Sequence, residues 1–322
     1  MHKRHSLPFR LENDVASGAG KATNCLVTAS ALKSCLLAAR PKTLPAAIVP
    51  VWVGCVLAWK LGGAFHGALA FATVAGAVAI QIATNFFNDA IDAKKGADTA
   101  RRLGPVRVTA SGMMRPRVVM TLAAVFLLLA LVCGVFLYQA RGWPIVVIGI
   151  PSLFLAYGYT GGPFPLAYCG MGELFVILFF GVIAVAGTVF IQTGAWPCEV
   201  ILLGLQTGLF SSVLISINNL RDREEDSTTG KRTLAVRFGH EVAVAVIILE
   251  IMIAVLGGAC WIWLGHLPWT YAGIPALLTG ILIIRGVLTL PPGPASNRLL
   301  ALGGVQLILF ATAFHGIALI FP

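Results

Sequence analysis

The chain has 322 residues, 58% hydrophobic and only 11% charged, with a mean hydropathy of +0.88 and a formal charge of +10. An ordinary soluble domain carries roughly 25% charged residues, so this composition excludes one and implies an integral membrane protein whose apolar surface faces lipid. The cations fall in short segments between apolar runs, without the motifs of a nucleic-acid reader, so the bilayer is the expected partner and nucleic acid is not.

Residues 1–38 read as a cytoplasmic leader. They carry cations together with Glu12 and Asp14 and have no apolar core before Cys25, unlike a secretory signal. The stretch SALKSCLLAARPKT, from Ser30, suggests a short interfacial helix. Residues 39–322 then form the membrane domain. A span needs about 20 apolar residues, which gives about nine segments: 43–60, 66–89, 118–138, 143–159, 173–193, 198–218, 241–264, 270–289 and 299–321. Backbone groups in lipid must bond within their own segment, and the runs are too long and uninterrupted for a barrel. The expected fold is an all-α bundle of nine transmembrane helices.

The cations orient that bundle. Lys94, Lys95, Arg101, Arg102, Arg107, Arg115 and Arg117 follow the second span, and Arg221, Arg223, Lys231, Arg232 and Arg237 follow the sixth, whereas the opposite connections hold Lys60 and Arg141. The excess of positive charge marks the cytoplasmic side, which puts the amino terminus inside and the carboxyl terminus outside.

Two acidic clusters fall on that same side. NFFNDAIDAKKGAD, from Asn85, closes the second span with Asn88-x3-Asp92, and NNLRDREEDSTTGKRTLAVRFG, from Asn218, closes the sixth with Asn218-x3-Asp222-x3-Asp226. An amide and a carboxylate four residues apart project from one helix face. Mg2+ prefers oxygen ligands and shares them with substrate phosphates, so Asn88, Asp92, Asp98, Asn218, Asp222 and Asp226 are the candidate metal ligands, with Asp89 and Asn85 near enough to join. Lys95, Arg101, Arg102, Arg221, Lys231 and Arg232, with the two amides Asn88 and Asn218, are candidates to bind a diphosphate. A diphosphate at the rim of a lipid-facing bundle points to an isoprenoid, whose tail a greasy channel accepts. Single acids at span ends are ordinarily solvated loop charges; two matched clusters on one side are harder to assign that way.

These motifs resemble the UbiA-type membrane prenyltransferase superfamily. RPKTLPAA from Arg40, RRLGPVR from Arg101 and YTGGPFPLAYCGMGELFV from Tyr159, together with the two acidic stretches, resemble its menaquinone branch, in the same order and over nearly the whole chain after Leu37. The resemblance implies a nine-helix fold and Mg2+-dependent transfer of a prenyl chain from an isoprenyl diphosphate to 1,4-dihydroxy-2-naphthoate, with loss of CO2, in a bacterial inner membrane. It also implies catalytic roles for Asp92, Asp222 and Asp226, and a carbocation-shielding role for Tyr159. Two departures stand out: Gly96 occupies a position where many relatives have Asp, and Pro163 one where several have Lys. Glu173, at the start of a span, is a candidate to position or deprotonate an acceptor hydroxyl, or else an interfacial acid favoured by the helix dipole. Alternatives are another aromatic acceptor, such as homogentisate or 4-hydroxybenzoate, and a cation-coupled transporter.

Overall fold

A computed structural model describes residues 31–63, 65–96, 103–163, 165–291 and 293–321. Residues 31–39 form α1. The chain continues through α2 (Pro45–Gly62), α3 (Gly67–Lys94), α4 (Pro116–Arg141), α5 (Pro144–Gly158), the short α6 (Leu166–Cys169), α7 (Gly172–Val176) and α8 (Ala184–Thr193). Then come α9 (Glu199–Arg221), α10 (Arg223–Thr228), α11 (Leu234–Leu256), α12 (Ile274–Thr289) and α13 (Ser296–Ile320). No strand occurs among the described residues.

Local chemistry sets the ends. Proline opens α2, α4 and α5, where its missing N–H costs nothing. Gly63 and Gly194 close α2 and α8 in the left-handed conformation that a Cβ disfavours. α7 and α8 are joined by a π-helical stretch, Ile177–Ile183, so the three act as one span from Gly172 to Thr193. At Gly239, φ 87°, a break divides α11, and the uninterrupted helix begins close to where the apolar run suggested.

Among the described residues eight helices are long and apolar enough to cross a membrane, and α5, at 15 residues, is a shorter apolar helix in the place of the ninth expected span. The nine segments read from the sequence are therefore all helical, with one too short to cross unaided. α3 packs on α4, α9 on α11 and on the α7–α8 span, α12 on α13, and α13 returns to α2. Outward positions such as Leu128, Val132, Phe154 and Leu278 are large, apolar and exposed, as a lipid-facing surface requires. The largest buried cluster joins α2, α8, α9 and α13 through Val53, Leu57, Val189, Leu203, Phe210 and Phe310. His315 acts in packing: its Nδ1 accepts a hydrogen bond of 3.1 Å from Trp52 Nε1, tying the last helix to α2.

Candidate active site

The acidic motif of α3 does two jobs on two stripes of one helix. Asn85 donates from Nδ2 to Ala39 O at 2.9 Å and Thr43 Oγ1 at 3.1 Å, anchoring the entry to α2. Asp89 accepts from the backbone N–H groups of Val108 (3.2 Å) and Thr109 (2.9 Å) and holds the segment before α4. Both were candidates to join a metal site as direct or supporting groups, and here both tie the end of α3 to neighbouring chain. Their partners in the pattern, Asn88 and Asp92, lie on the other stripe. Thr160 Oγ1 donates to Asn88 Oδ1, and Asp92 is surrounded by donors: Tyr168 Oη at 3.0 Å, Lys231 Nζ at 3.0 Å and Arg107 Nη2 at 3.3 Å.

Lys231 brings the second motif into this group. Its Nζ lies 3.0 Å from Asp92 and 3.9 Å from Asp226 Oδ1, so the acidic ends of α3 and α9–α10 meet at one end of the bundle. Asp92, Asp222 and Asp226 are all buried. Asp222 is held by Arg221, whose Nε and Nη2 each reach it at 2.6 Å, while the same guanidinium donates to Asn218 Oδ1 (2.6 Å) and Asn297 Oδ1 (2.8 Å). Arg221 is only 1% exposed. Its fork fixes Asn218 and Asp222 relative to α13, a geometric task that suits a planar five-donor group. Arg232 has an exposed side chain, and its backbone N–H bonds Tyr168 O at 3.3 Å, pinning the loop after α10 to the loop around α6. Asp98, Arg101 and Arg102 lie outside the described residues.

Lys95 donates to Thr160 O at 2.8 Å and stands 4.1 Å from the centroid of the Tyr168 ring, with Lys231 at 5.5 Å. Burial pulls the Lys95 ammonium below its ordinary value, with Lys231 adding to that and Asp92 opposing it. The Tyr159 backbone oxygen accepts from Ala167 N–H at 2.9 Å, tying the end of α5 to α6. Tyr159 also lines an apolar cavity of about 230 Å³ between α2, α3, α4, α5 and the α7–α8 span, together with Ile80, Cys133, Ile148, Leu153 and Phe179. Its neighbour Thr160 meets Asn88 and Lys95, so this turn joins the greasy cavity to the charged end. Glu173 is buried, and its Oε1 accepts from Asn219 Nδ2 at 2.9 Å.

Two contributors went unread in the sequence. Arg107 stood only among the loop cations, and Tyr168 only as part of a motif whose first tyrosine drew attention. The signal for Tyr168 was its place in a short connection facing both acidic motifs. Replacing Tyr168 by Phe removes a hydrogen bond to a charged group, worth about 1.5–3 kcal/mol. Prenyl transfer by Y168F is expected to fall about 10- to 100-fold, measured as turnover of the solubilised protein; unchanged turnover would show that the bond to Asp92 does not serve the reaction.

Among the described residues no three His, Cys, Asp or Glu side chains converge as a metal cage. The donors present are oxygens from two helices, with Asp92 and Asp226 flanking a cation. That set suits a hard divalent ion that completes its shell with water and phosphate oxygens.

The fold and site define a class: a helical membrane bundle with acids and cations gathered at one end of an apolar cavity. The chain belongs to the UbiA prenyltransferase family, whose model matches residues 47–316, and is a multi-pass membrane protein and a prenyltransferase. It is 34% identical over 248 residues to a 1,4-dihydroxy-2-naphthoate octaprenyltransferase of Bacillus subtilis, covering 76% of each chain. In structure it is similar to a UbiA homolog from Aeropyrum pernix, with a TM-score of 0.68, 17% identity and coverage of 85% of this chain and 97% of that one. A UbiA homolog from Archaeoglobus fulgidus bound to DMAPP and Mg2+ gives a TM-score of 0.59 at 16% identity, covering 89% of this chain and 100% of that one.

Proposed function

We propose that the protein transfers a polyprenyl group from an isoprenyl diphosphate to 1,4-dihydroxy-2-naphthoate, releasing diphosphate and CO2, in a bacterial inner membrane with its site on the cytoplasmic side. The observation that carries this reading is the turn at Tyr159 and Thr160, which lines the apolar cavity through Tyr159 and meets Asn88 and Lys95 through Thr160. The relatives named for this acceptor support it. The cavity suits a prenyl tail, and Lys231, Arg107 and Lys95 stand where the diphosphate charge must be balanced.

Asp92 and Asp226, with Asn88, Asn218, Asp222 and Asp98, are the residues that would hold Mg2+. When bound, the ion supplies charge stabilisation that makes diphosphate a better leaving group. The protein's own groups do the rest. Lys231 and Arg107, already at Asp92, donate to the departing phosphate oxygens. The Tyr159 ring, in the cavity wall, offers a face that stabilises a cation, and the apolar walls keep water from the allylic carbon. Glu173 takes a hydroxyl proton from the acceptor, pushing electron density into its ring. The ring carbon bearing the carboxylate bonds to the prenyl carbon as the C–O bond to diphosphate breaks. The carboxylate then leaves as CO2, its bonding pair restoring the aromatic ring.

The test is a product assay on detergent-solubilised protein. The expected result is one CO2 and one diphosphate per prenylated naphthoquinol, with turnover requiring acceptor and Mg2+ together. Faster turnover of homogentisate or 4-hydroxybenzoate would replace the acceptor. Absence of prenyl transfer to any of the three would end this reading.

A further inference from the structure

The apolar cavity has a built floor. It begins beside the charged end of the bundle, where Tyr159 and Thr84 line it, and reaches Leu137, Ile145 and Ile191 at the other. Helix direction sets those three far from the acids: Leu137 lies one turn before the end of α4, Ile145 is second in α5, and Ile191 is in the last turn of α8. All three are buried, and they pack with Ala72 and Phe190 into a cluster of their own.

Polar bonds lock this floor in place. Arg141 Nε donates to Ile191 O at 2.7 Å and its Nη2 to Gln192 O at 2.9 Å, so the end of α4 caps the last carbonyls of α8. Gln192 Oε1 accepts from His66 N at 2.8 Å, and its Nε2 donates to His66 O at 3.2 Å, which ties in the start of α3. Phe190 stacks on Trp196 with ring centroids 4.5 Å apart. The walls, by contrast, leave room. Gly134 and Gly149 line the cavity, and a Cβ on either would meet no atom within 4 Å.

The depth can be measured on α5. From Tyr159 to Ile145 the axis runs about 21 Å at 1.5 Å per residue. An extended isoprene unit, four C–C bonds of about 1.5 Å in zigzag, advances about 5 Å, so a straight run takes about four units. Lipid is as apolar as the cavity wall, so moving a tail from one to the other gains little. Discrimination then comes from packing. A tail that stops short leaves lining atoms without partners, and one that overshoots presses on a braced floor.

We propose that Leu137, Ile145 and Ile191, held by the Arg141–Gln192 brace, set the donor preference by limiting the enclosed tail to about four isoprene units. Units beyond these turn aside and add nothing to recognition. This rests on the reading that the cavity holds the prenyl tail.

The experiment compares prenyl diphosphates of two, four and eight isoprene units on solubilised full-length protein. Two readouts are taken: kcat/KM with dihydroxynaphthoate, and the rise in thermal-unfolding midpoint that each donor gives with Mg2+ and no acceptor. In wild type kcat/KM is expected to rise at least tenfold from two units to four, and then to stay level at eight. Gly149→Leu fills open space about 15 Å from Tyr159 and is expected to erase the advantage of four units over two. Gly134→Leu narrows the same space from α4, which keeps the test open if the first variant fails to fold. Ile145→Ala deepens the floor and is expected to favour eight units over four about tenfold. A wild-type gain of tenfold or more from four units to eight overturns the proposal. So does an unmoved donor ratio in the variants that fold, since positions with a merely structural role would weaken all three donors alike. If no acceptor is prenylated, the reaction assigned above fails on its own, and the midpoint series still decides the floor.

Discussion

Changing Asp92 to asparagine is expected to lower prenyl transfer by about 1000-fold, the upper range for loss of one preorganised electrostatic group in a closed site. Asp92 is the point where Tyr168, Arg107 and Lys231 converge, and through Lys231 it is joined to Asp226. Asparagine is nearly isosteric and still accepts from Tyr168. Its amide, however, presents donors where Arg107 and Lys231 also donate, and it offers a divalent ion no charge. D92N should therefore lose turnover, and with Arg107 and Lys231 left without the buried negative charge of Asp92 it should also unfold at a lower temperature, so turnover is read per folded protein. A radiolabelled prenyl-transfer assay reads the loss; activity within tenfold of wild type would remove Asp92 from the centre of the site.

The second large effect is on stability. At the crossing of α9 with the π-helical stretch, backbone touches backbone. A Cβ on Gly208 would lie 2.5 Å from Ile177 O and 2.9 Å from Ile177 Cα, and one on Gly204 would lie 2.7 Å from Val182 Cα. A Cβ on Gly181 would strike Gly204 O. Gly204-x3-Gly208 is the small-residue spacing that lets membrane helices approach closely, and the obstacle to any side chain there is main chain, which cannot rotate away. Gly208→Leu is expected to destabilise the protein by about 3 kcal/mol or more through overpacking, measured as a lower thermal-unfolding midpoint in detergent. An unchanged midpoint would mean that the crossing adjusts freely. Because Gly208 and Asn219 share α9, the same change should also displace the Asn219 amide that holds Glu173.

Much of this was legible in the sequence. Lipid forbids unbonded backbone, so each long apolar run had to be a helix, and the runs at 66–89 and 198–218 found α3 and α9 a few residues short of their polar ends. The i, i+4 spacing grouped Asn88 with Asp92 and Asn218 with Asp222, and Arg221 bonds both members of the second pair. Spacing names a face but not the neighbour it meets, so neither the hold of Asp89 on the segment before α4 nor the clamp of Arg221 on Asp222, Asn218 and Asn297 was readable from it. Tyr168 escaped for the same reason: its partners come from α3 and from the loop after α10. Glu250 carried a readable signal, a lone acid in the apolar run of α11, but its partners Ser212 and Ser216 stand on α9.

The bond between Trp52 and His315 spans 263 residues. Most of α2 is buried inside the bundle, and α13 covers part of it. Ribosomes add about 5–20 residues per second, so roughly 13 to 53 s separate synthesis of these two side chains. During that interval the first span sits in the bilayer with its eventual inner face turned to lipid or to an insertion factor. The apolar character of that face, Val49, Val53 and Leu57 with Trp52 beside them, makes the wait tolerable until α13 arrives to cover it.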